Sequence, residues 1–241
     1  MIRIAHAYSN LLNLYGSYAN LSLMERYITK TGNEVVISSF NIGSYIDLSS
    51  FDLIYFGAGT ERRILLALDD FRRYSEELND YLSEDKMLFV SGSSIAMLGK
   101  SITDVEGMTH EGLSLIDIDS CIHPKRTYTE LLMKSKICAY PVIGNINSSM
   151  TIEIGNETRM FDVIKETSGK RKGEGVQKGS IYATEVGGPL LVRNPYLLHS
   201  FAEILLEKEL PLGKEGWFLD AIEGYSRALL SLRKDLNMKG Q

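Results

Sequence analysis

The sequence predicts a doubly wound α/β fold: a mostly parallel sheet flanked by helices, with antiparallel additions in the second half. Three observations carry this. Short apolar runs of β character alternate with segments of helical periodicity through the first part of the 241-residue chain. Their order reads βαβαβ, which favours a parallel sheet with ligands at the carboxyl ends of its strands. Two informative turns, after Phe56 and after Val90, fall at such ends.

Each element has its own justification. Ile2–Ala7 is a first strand. Leu11–Thr29 places Leu14, Tyr18, Leu21, Met24 and Ile28 at helical spacing, and Thr31-Gly32-Asn33 ends that helix. Glu34–Phe40, with Val35, Val36 and Ile37, reads as a second strand and Asp52–Phe56 as a third, closed by Gly57-Ala58-Gly59. Arg62–Leu82 reads as one helix, and Met87–Val90 as a buried fourth strand. Ser114–Asp119, Thr127–Lys134, Ile137–Val142, Met150–Ile154 and Ser180–Val186 are short β-like runs, which fit a mixed sheet or an antiparallel extension of the parallel one. Thr167–Gly179 is basic and glycine-rich and reads as a mobile surface loop. Asn194-Pro195 opens a helix through Leu206, Pro211-Leu212-Gly213 interrupts the chain, and Trp217–Leu236 forms a last amphipathic helix with Phe218, Ile222, Tyr225, Leu229 and Leu232 on one face.

Bulk composition narrows the function. Apolar residues make up 44% and charged residues 24%, and the net charge of −5 comes with mixed signs throughout. With no sustained basic stretch, the chain is not expected to bind nucleic acid. Two cysteines, Cys121 and Cys138, imply neither a disulfide framework nor a zinc site, and no metal or cofactor is expected. No stretch reaches the ~20 apolar residues of a membrane helix, so a cytoplasmic protein without membrane contact is the expectation.

The most telling segment is Met87–Gly99. An apolar strand runs into Ser91-Gly92-Ser93-Ser94 and then a helix from Ile95. In a strand–turn–helix elbow the reactive atom sits at the tip, beside helix N–H groups able to hold an anion. Here the tip is Gly92, which has no side chain to react.

Several motifs together resemble the class I glutamine amidotransferase domain of the cobyric-acid-synthase type, and most closely the glutaminase subunits of lipid II isoglutaminyl synthases. Leu11-Leu12-Asn13-Leu14-Tyr15-Gly16 with Ala19-Asn20 is similar to "LLNLYGDxGN", and Asp52–Glu61 to "DLxxxGGGQD". Gly112–Ile118 is similar to "GLGLLDV", followed by Lys125-Arg126. Glu174-Gly175-Val176 through Gly188-Pro189-Leu190-Leu191 and Asn194-Pro195 is similar to "EGV…GTYLHGPLLxxNP". The resemblance covers nearly all of residues 5–200. It implies a flavodoxin-like amidotransferase fold over residues 1–206, with 207–241 as a helical extension.

In that family a cysteine in "CGGYQ" attacks the glutamine carboxamide and a histidine in "YLHGP" activates it, a thioester mechanism that needs both groups. The resemblance places Gly92 at the cysteine, Ala96 at the glutamine of that motif and Gly187 at the histidine. Gly144–Ser148 matches "GxENH" without its acid and histidine. No intact catalytic residue is therefore expected. Ser91, Ser93 and Ser94 are the substitute nucleophile candidates, and Gly57, Ala58, Ser93 and Arg126 the candidate ligand-binding residues. Arg126 matches an arginine that holds the substrate carboxylate, and the Gly57-Ala58-Gly59 turn keeps the backbone N–H of an oxyanion hole. His6, His110, His123 and His199 lie outside any matching motif. Two readings stand side by side. One is a silent, non-catalytic binding or scaffold subunit beside a Mur-ligase-like synthetase, or a homo-oligomer, holding a small amino-acid-like ligand. The other is an amidotransferase or other hydrolase with a displaced nucleophile.

Overall fold

A computed structural model describes residues 1–169 and 171–238. The first strand, β1 (Ile2–Ala7), is followed by a 3-10 turn at Leu14–Gly16 and by α1 (Ala19–Lys30). Helix α1 begins later than its periodicity suggests, because Tyr15 (φ 58°) and Gly16 (φ 71°) are left-handed and cannot continue a helix. Then come β2 (Val35–Phe40), β3 (Leu53–Phe56), α2 (Glu61–Phe71), α3 (Ser75–Ser83) and β4 (Met87–Ser91). The single helix expected over Arg62–Leu82 is split by a 3-10 turn at Arg72–Tyr74, where the Tyr74 hydroxyl donates to Ser44 O at 2.5 Å.

The second half differs most from expectation. Instead of short runs, it builds β5 (Ser101–Thr103), β6 (Thr109–Glu111), a long hairpin of β7 (Ile118–Ser135) and β8 (Val142–Ile154), β9 (Phe161–Glu166) and β10 (Gly173–Glu174). These six strands form a sheet of their own. It is antiparallel except for the β5–β7 pair. The β7–β8 ladder slips between Ile122 and Thr127, under the polar stretch His123–Arg126 that made one strand read as two. The chain then returns through β11 (Val176–Lys178) and β12 (Ile181–Thr184) to the first sheet, and ends in α4 (Leu190–Arg193), α5 (Pro195–Leu206) and α6 (Gly216–Asp235).

The first sheet has the order β11-β12-β4-β3-β1-β2. All its pairs are parallel except β11–β12. Strand β3 shows why it must be covered on both faces: Ile54 and Phe56 enter one hydrophobic cluster with α2 and α3, while Leu53 and Tyr55 enter another with α1, α5 and α6. Register pairs Phe56 with Val90, so the two informative turns emerge side by side at the carboxyl edge.

One surface expectation changes. The Thr167–Gly179 segment, apart from Lys170, which lies outside the described residues, is not a loop standing off the protein. It contains β10 and β11, and it buries Glu174 and Val176. The α6 stripe lies against its own chain. Phe218, Tyr225 and Leu232 are buried, Ile222 and Leu229 pack beside them, and the Tyr225 hydroxyl donates to Pro141 O at 2.7 Å. No described helix is long and apolar enough to cross a membrane.

Candidate functional site

The elbow is present, but it leads into a six-residue 3-10 turn, Ser93–Leu98, and not into an α-helix. Its N–H groups therefore lack the aligned dipole of a longer helix. Gly92 has φ +82° and ψ −169°, a region open in practice to glycine alone. Its N–H donates to Val186 O at 3.0 Å, which sets the position matched to the cysteine beside the position matched to the histidine, Gly187.

The surroundings of these two glycines differ. A Cβ on Gly92 would fall 2.6 Å from Ala58 Cβ and 3.0 Å from Ala58 Cα, distances that real side chains do not adopt. A Cβ on Gly187 would meet nothing nearer than Tyr15 Cδ2 at 3.9 Å. The space beside position 92 is filled, whereas that beside position 187 is open. Ala58, the middle residue of the Gly57-Ala58-Gly59 turn, does the filling. Its flanking glycine at 57 stays glycine because a Cβ there would fall 2.2 Å from Leu12 O.

Within the turn read as carrying an oxyanion-hole N–H, the Ala58 N–H donates to Ser17 Oγ at 3.3 Å. Ser17 is fully buried and in turn donates to Leu12 O. Of the three serines, Ser91 meets the Tyr55 hydroxyl at 2.7 Å and Ser94 donates to Gly57 O at 2.5 Å, both without exposure. Ser93 alone keeps slight exposure, and its Oγ lies 3.1 Å from Ser148 Oγ. Tyr55 also donates to Ser17 O and accepts from Asn20, whose amide reaches Gly188 O and the Leu191 N–H. Asn20 thus ties the Gly188–Leu191 turn to α1 and β3, a physical reason for the Leu11–Asn20 and Gly188–Leu191 motifs to occur together.

Arg126, expected to hold a substrate carboxylate, is engaged by the protein itself. Its guanidinium donates to Glu61 Oε1 at 2.9 Å, to the Tyr15 hydroxyl at 3.0 Å and to Asn147 O at 2.8 Å. Ser149 donates to the same Glu61 oxygen. This latch joins β7, β8, α2 and the turn before α1. Both ionic side chains are partly exposed, at 35% and 20%, so the pair contributes little to stability. Glu61→Gln is expected to lower the unfolding free energy by less than about 1 kcal/mol in urea titrations. A loss well above that would make the latch a structural tie and not a cover.

Just before Gly187 in the chain, Glu185 belongs to a cluster that sequence reasoning missed. Glu174 and Glu185 are both buried. Glu174 accepts from the Thr184 hydroxyl and from the Glu185 N–H, each at 2.6 Å. Burial nevertheless pushes its carboxyl up to about 7. Glu185 Oε2 pairs with Arg171 at 2.9 Å, and burial raises its carboxyl too, against the pull of Arg171 and the Ser148 hydroxyl. Glu166 accepts from the Arg171 N–H at 2.7 Å. The available signal was Glu185 itself: a charged residue in an otherwise apolar run, standing where the family motif has tyrosine.

Three of the four histidines have hydrogen-bond partners away from the elbow, and the fourth, His6, packs its ring against Tyr55. His110 meets Asp104, His123 meets Thr151, and His199 meets Tyr27 and Glu203. His6 is buried at the end of β1, and desolvation lowers it to about 4, so its ring is neutral. Among the described residues no group of three or more His, Cys, Asp or Glu side chains is placed to hold a metal ion.

Known proteins resemble this chain in sequence and in fold. A family model described as the CobB/CobQ-like glutamine amidotransferase domain matches residues 3–195. The GatD subunit of lipid II isoglutaminyl synthase (glutamine-hydrolyzing) from Streptococcus pneumoniae is 21% identical over 212 residues, covering 86% of this chain and 82% of that subunit. The Staphylococcus aureus GatD subunit is 21% identical over 211 residues, covering 86% and 84%. In fold, the chain is similar to a glutamine amidotransferase from Thermotoga maritima (TM-score 0.52, 11% identity, 96% and 95% of the two chains). It is likewise similar to a chain of the PurLQS structure from the same organism (TM-score 0.51, 9% identity, 95% and 99%). With its motifs in order and the family match spanning most of its length, this chain belongs to the CobB/CobQ-like glutamine amidotransferase domain family.

Proposed function

We propose that this protein is an amidotransferase-domain subunit that no longer hydrolyses glutamine and acts by binding, beside a Mur-ligase-like synthetase in the amidation of a cell-wall precursor. The observation that carries the reading is the contact between positions 92 and 58: glycine stands at the tip, and a methyl group fills the space a nucleophile would need. A missing nucleophile alone removes several orders of magnitude in rate. Here three further groups point the same way. Gly187 offers no base, Ser17 takes up the Ala58 N–H, and Arg126 is held by Glu61. The synthetase partner is suggested by the two relatives, each a subunit of lipid II isoglutaminyl synthase.

Purified protein is expected to release no ammonia from glutamine above background. Electrophilic glutamine analogues are expected to leave no adduct on residues 91–94, as read by intact mass and peptide mapping. The competing reading, a displaced nucleophile, singles out Ser93, the one elbow serine with any exposure. An analogue-derived mass shift mapped to Ser93, with glutamine turnover lost in Ser93→Ala, would overturn the proposal.

A further inference from the structure

The first sheet ends on an open strand. In the order β11-β12-β4-β3-β1-β2, strand β2 pairs on one side only, with β1. The Ile2 N–H donates to Glu34 O and the Tyr8 N–H to Phe40 O, so the parallel ladder takes up the backbone of Glu34, Val36, Ser38 and Phe40. The N–H and C=O groups of Val35, Ile37 and Ser39 point outward, and among the described residues they have no partner. Such an edge is a template for another strand.

The other edges are guarded. Strands β6, β10 and β11 have only two or three residues each. Strand β8 is bracketed along its first half. The Asn194 amide bonds both the N–H and the C=O of Ile143, Asn145 O accepts from the Gly187 N–H, and Asn147 O accepts from Arg126. Strand β2 has six residues and neither protection. From Val35 to Ile46 the chain carries no charge and no proline, the side chains that keep an edge from pairing. Val36 and Ile42 are exposed there, and Tyr45 is 96% exposed. The backbone beside Tyr45 is nonetheless fixed: the Gly43 N–H donates to Asp70, and Ser44 O accepts from Arg73 and Tyr74.

We infer that β2 pairs antiparallel with β2 of a second copy of this chain, about a two-fold axis at Ile37, joining two six-stranded sheets into one. In this register Ile37 meets Ile37 and Val35 meets Ser39, so every outward N–H and C=O of the strand finds a partner. A second copy is the occupant because the strand is its own complement. Val36 falls opposite Ser38, and Glu34, the nearest charge, falls opposite Phe40, so no like charges meet. Strand β4 lies three places from β2, and the two copies run in opposite directions. Their elbows therefore open at opposite ends of the joined sheet, and the pairing covers neither. The inference is independent of whether glutamine is hydrolysed.

The test is sedimentation of the full-length protein from about 1 to about 100 µM. The mass is expected to rise toward twice the 27.0 kDa of the chain. At the upper concentration the amides of Val35, Ile37 and Ser39 are expected to exchange slowly with deuterium, which their lack of partners within one chain does not allow. Val36→Lys/Ser38→Lys, at two exposed positions, sets lysine against lysine and is expected to weaken dimerisation by about tenfold or more. Val36→Glu/Ser38→Lys sets opposite charges against each other and is expected to preserve it. A monomer throughout the range, which would leave this edge to a strand of another protein, would overturn the inference. So would a dimer equally tight in the double lysine variant, an equal loss in both variants, or a dimer whose three outward amides exchange without protection. If neither variant folds, amide exchange in the parent decides.

Discussion

Gly92→Cys, which places a thiol at the elbow tip, is expected to destabilise the protein by about 3 kcal/mol, and Ala58→Gly is expected to recover much of that loss. Two costs add at position 92. The backbone sits at φ +82°, where a non-glycine residue costs about 1–3 kcal/mol. The new Cβ would lie 2.6 Å from Ala58 Cβ, and such overpacking in a close-packed interior costs about 1–3 kcal/mol. Removing the Ala58 methyl abolishes the second cost and leaves the first, at the expense of about 0.5–1 kcal/mol for the added chain freedom of glycine. In a protein of this size the single variant should melt roughly 6–12 °C lower than the parent, and the Ala58→Gly/Gly92→Cys double variant clearly above the single. Additive losses in the double variant would show that positions 58 and 92 do not share one space. Even when tolerated, the cysteine is expected to be a poor nucleophile, since Gly187 supplies no base and Ser17 occupies the Ala58 N–H.

The coupling between 58 and 92 also shows what a sequence alone conveys. The parallel sheet was legible because its strands are buried on both faces: Leu53–Phe56 and Met87–Val90 are continuous apolar runs, each ending at a turn of small residues. The elbow was legible because an apolar strand runs straight into four small residues, whereas the open space beside Gly187 was not. The long β7–β8 hairpin was not, because an exposed stretch from His123 to Tyr128 interrupts its alternation while the backbone stays extended. Periodicity reports burial, and a strand that passes from covered to uncovered surface loses the signal without losing its conformation. The start of α1 was misplaced for a related reason. Leu14 and Tyr18 suit a helix face, yet Tyr15 and Gly16 adopt left-handed backbone, which no helix continues through. Arg126 was found as a residue but not as a partner of Glu61 and Tyr15, which lie 65 and 111 positions away. Ala58 was noted only for its N–H. That its methyl group faces Gly92 depends on the pairing of Phe56 with Val90, which no local pattern contains.

Stability is expected to fall as pH rises from about 4.5 to about 7, and Glu174 is the main cause. Its carboxyl is fully buried, and its folded-state value, about 7, lies above the unfolded value of 4.5. In that window the folded protein holds a proton that the unfolded chain has released, so each step upward in pH favours unfolding. The stabilisation is fully present below the unfolded value and is lost as pH passes through the folded one. At about 1.4 kcal/mol for each pH unit of difference, the window corresponds to about 3 kcal/mol. The raised carboxyl of Glu185 acts in the same direction. The sign is opposite to that of an acid held in a favourable ion pair, whose stabilisation is lost as pH falls. Glu174→Gln keeps one acceptor, for the Glu185 N–H, presents an amide donor to the Thr184 hydroxyl as the protonated acid does, and cannot ionise, so its unfolding free energy in urea should be much flatter between pH 5 and 7 than that of the parent. The two proteins should differ least near pH 5, where Glu174 is already neutral, which separates the charge effect from any change in packing. If the parent instead gains stability across this window, the Glu174 carboxyl is ionised in the folded state throughout and is not held neutral by its burial.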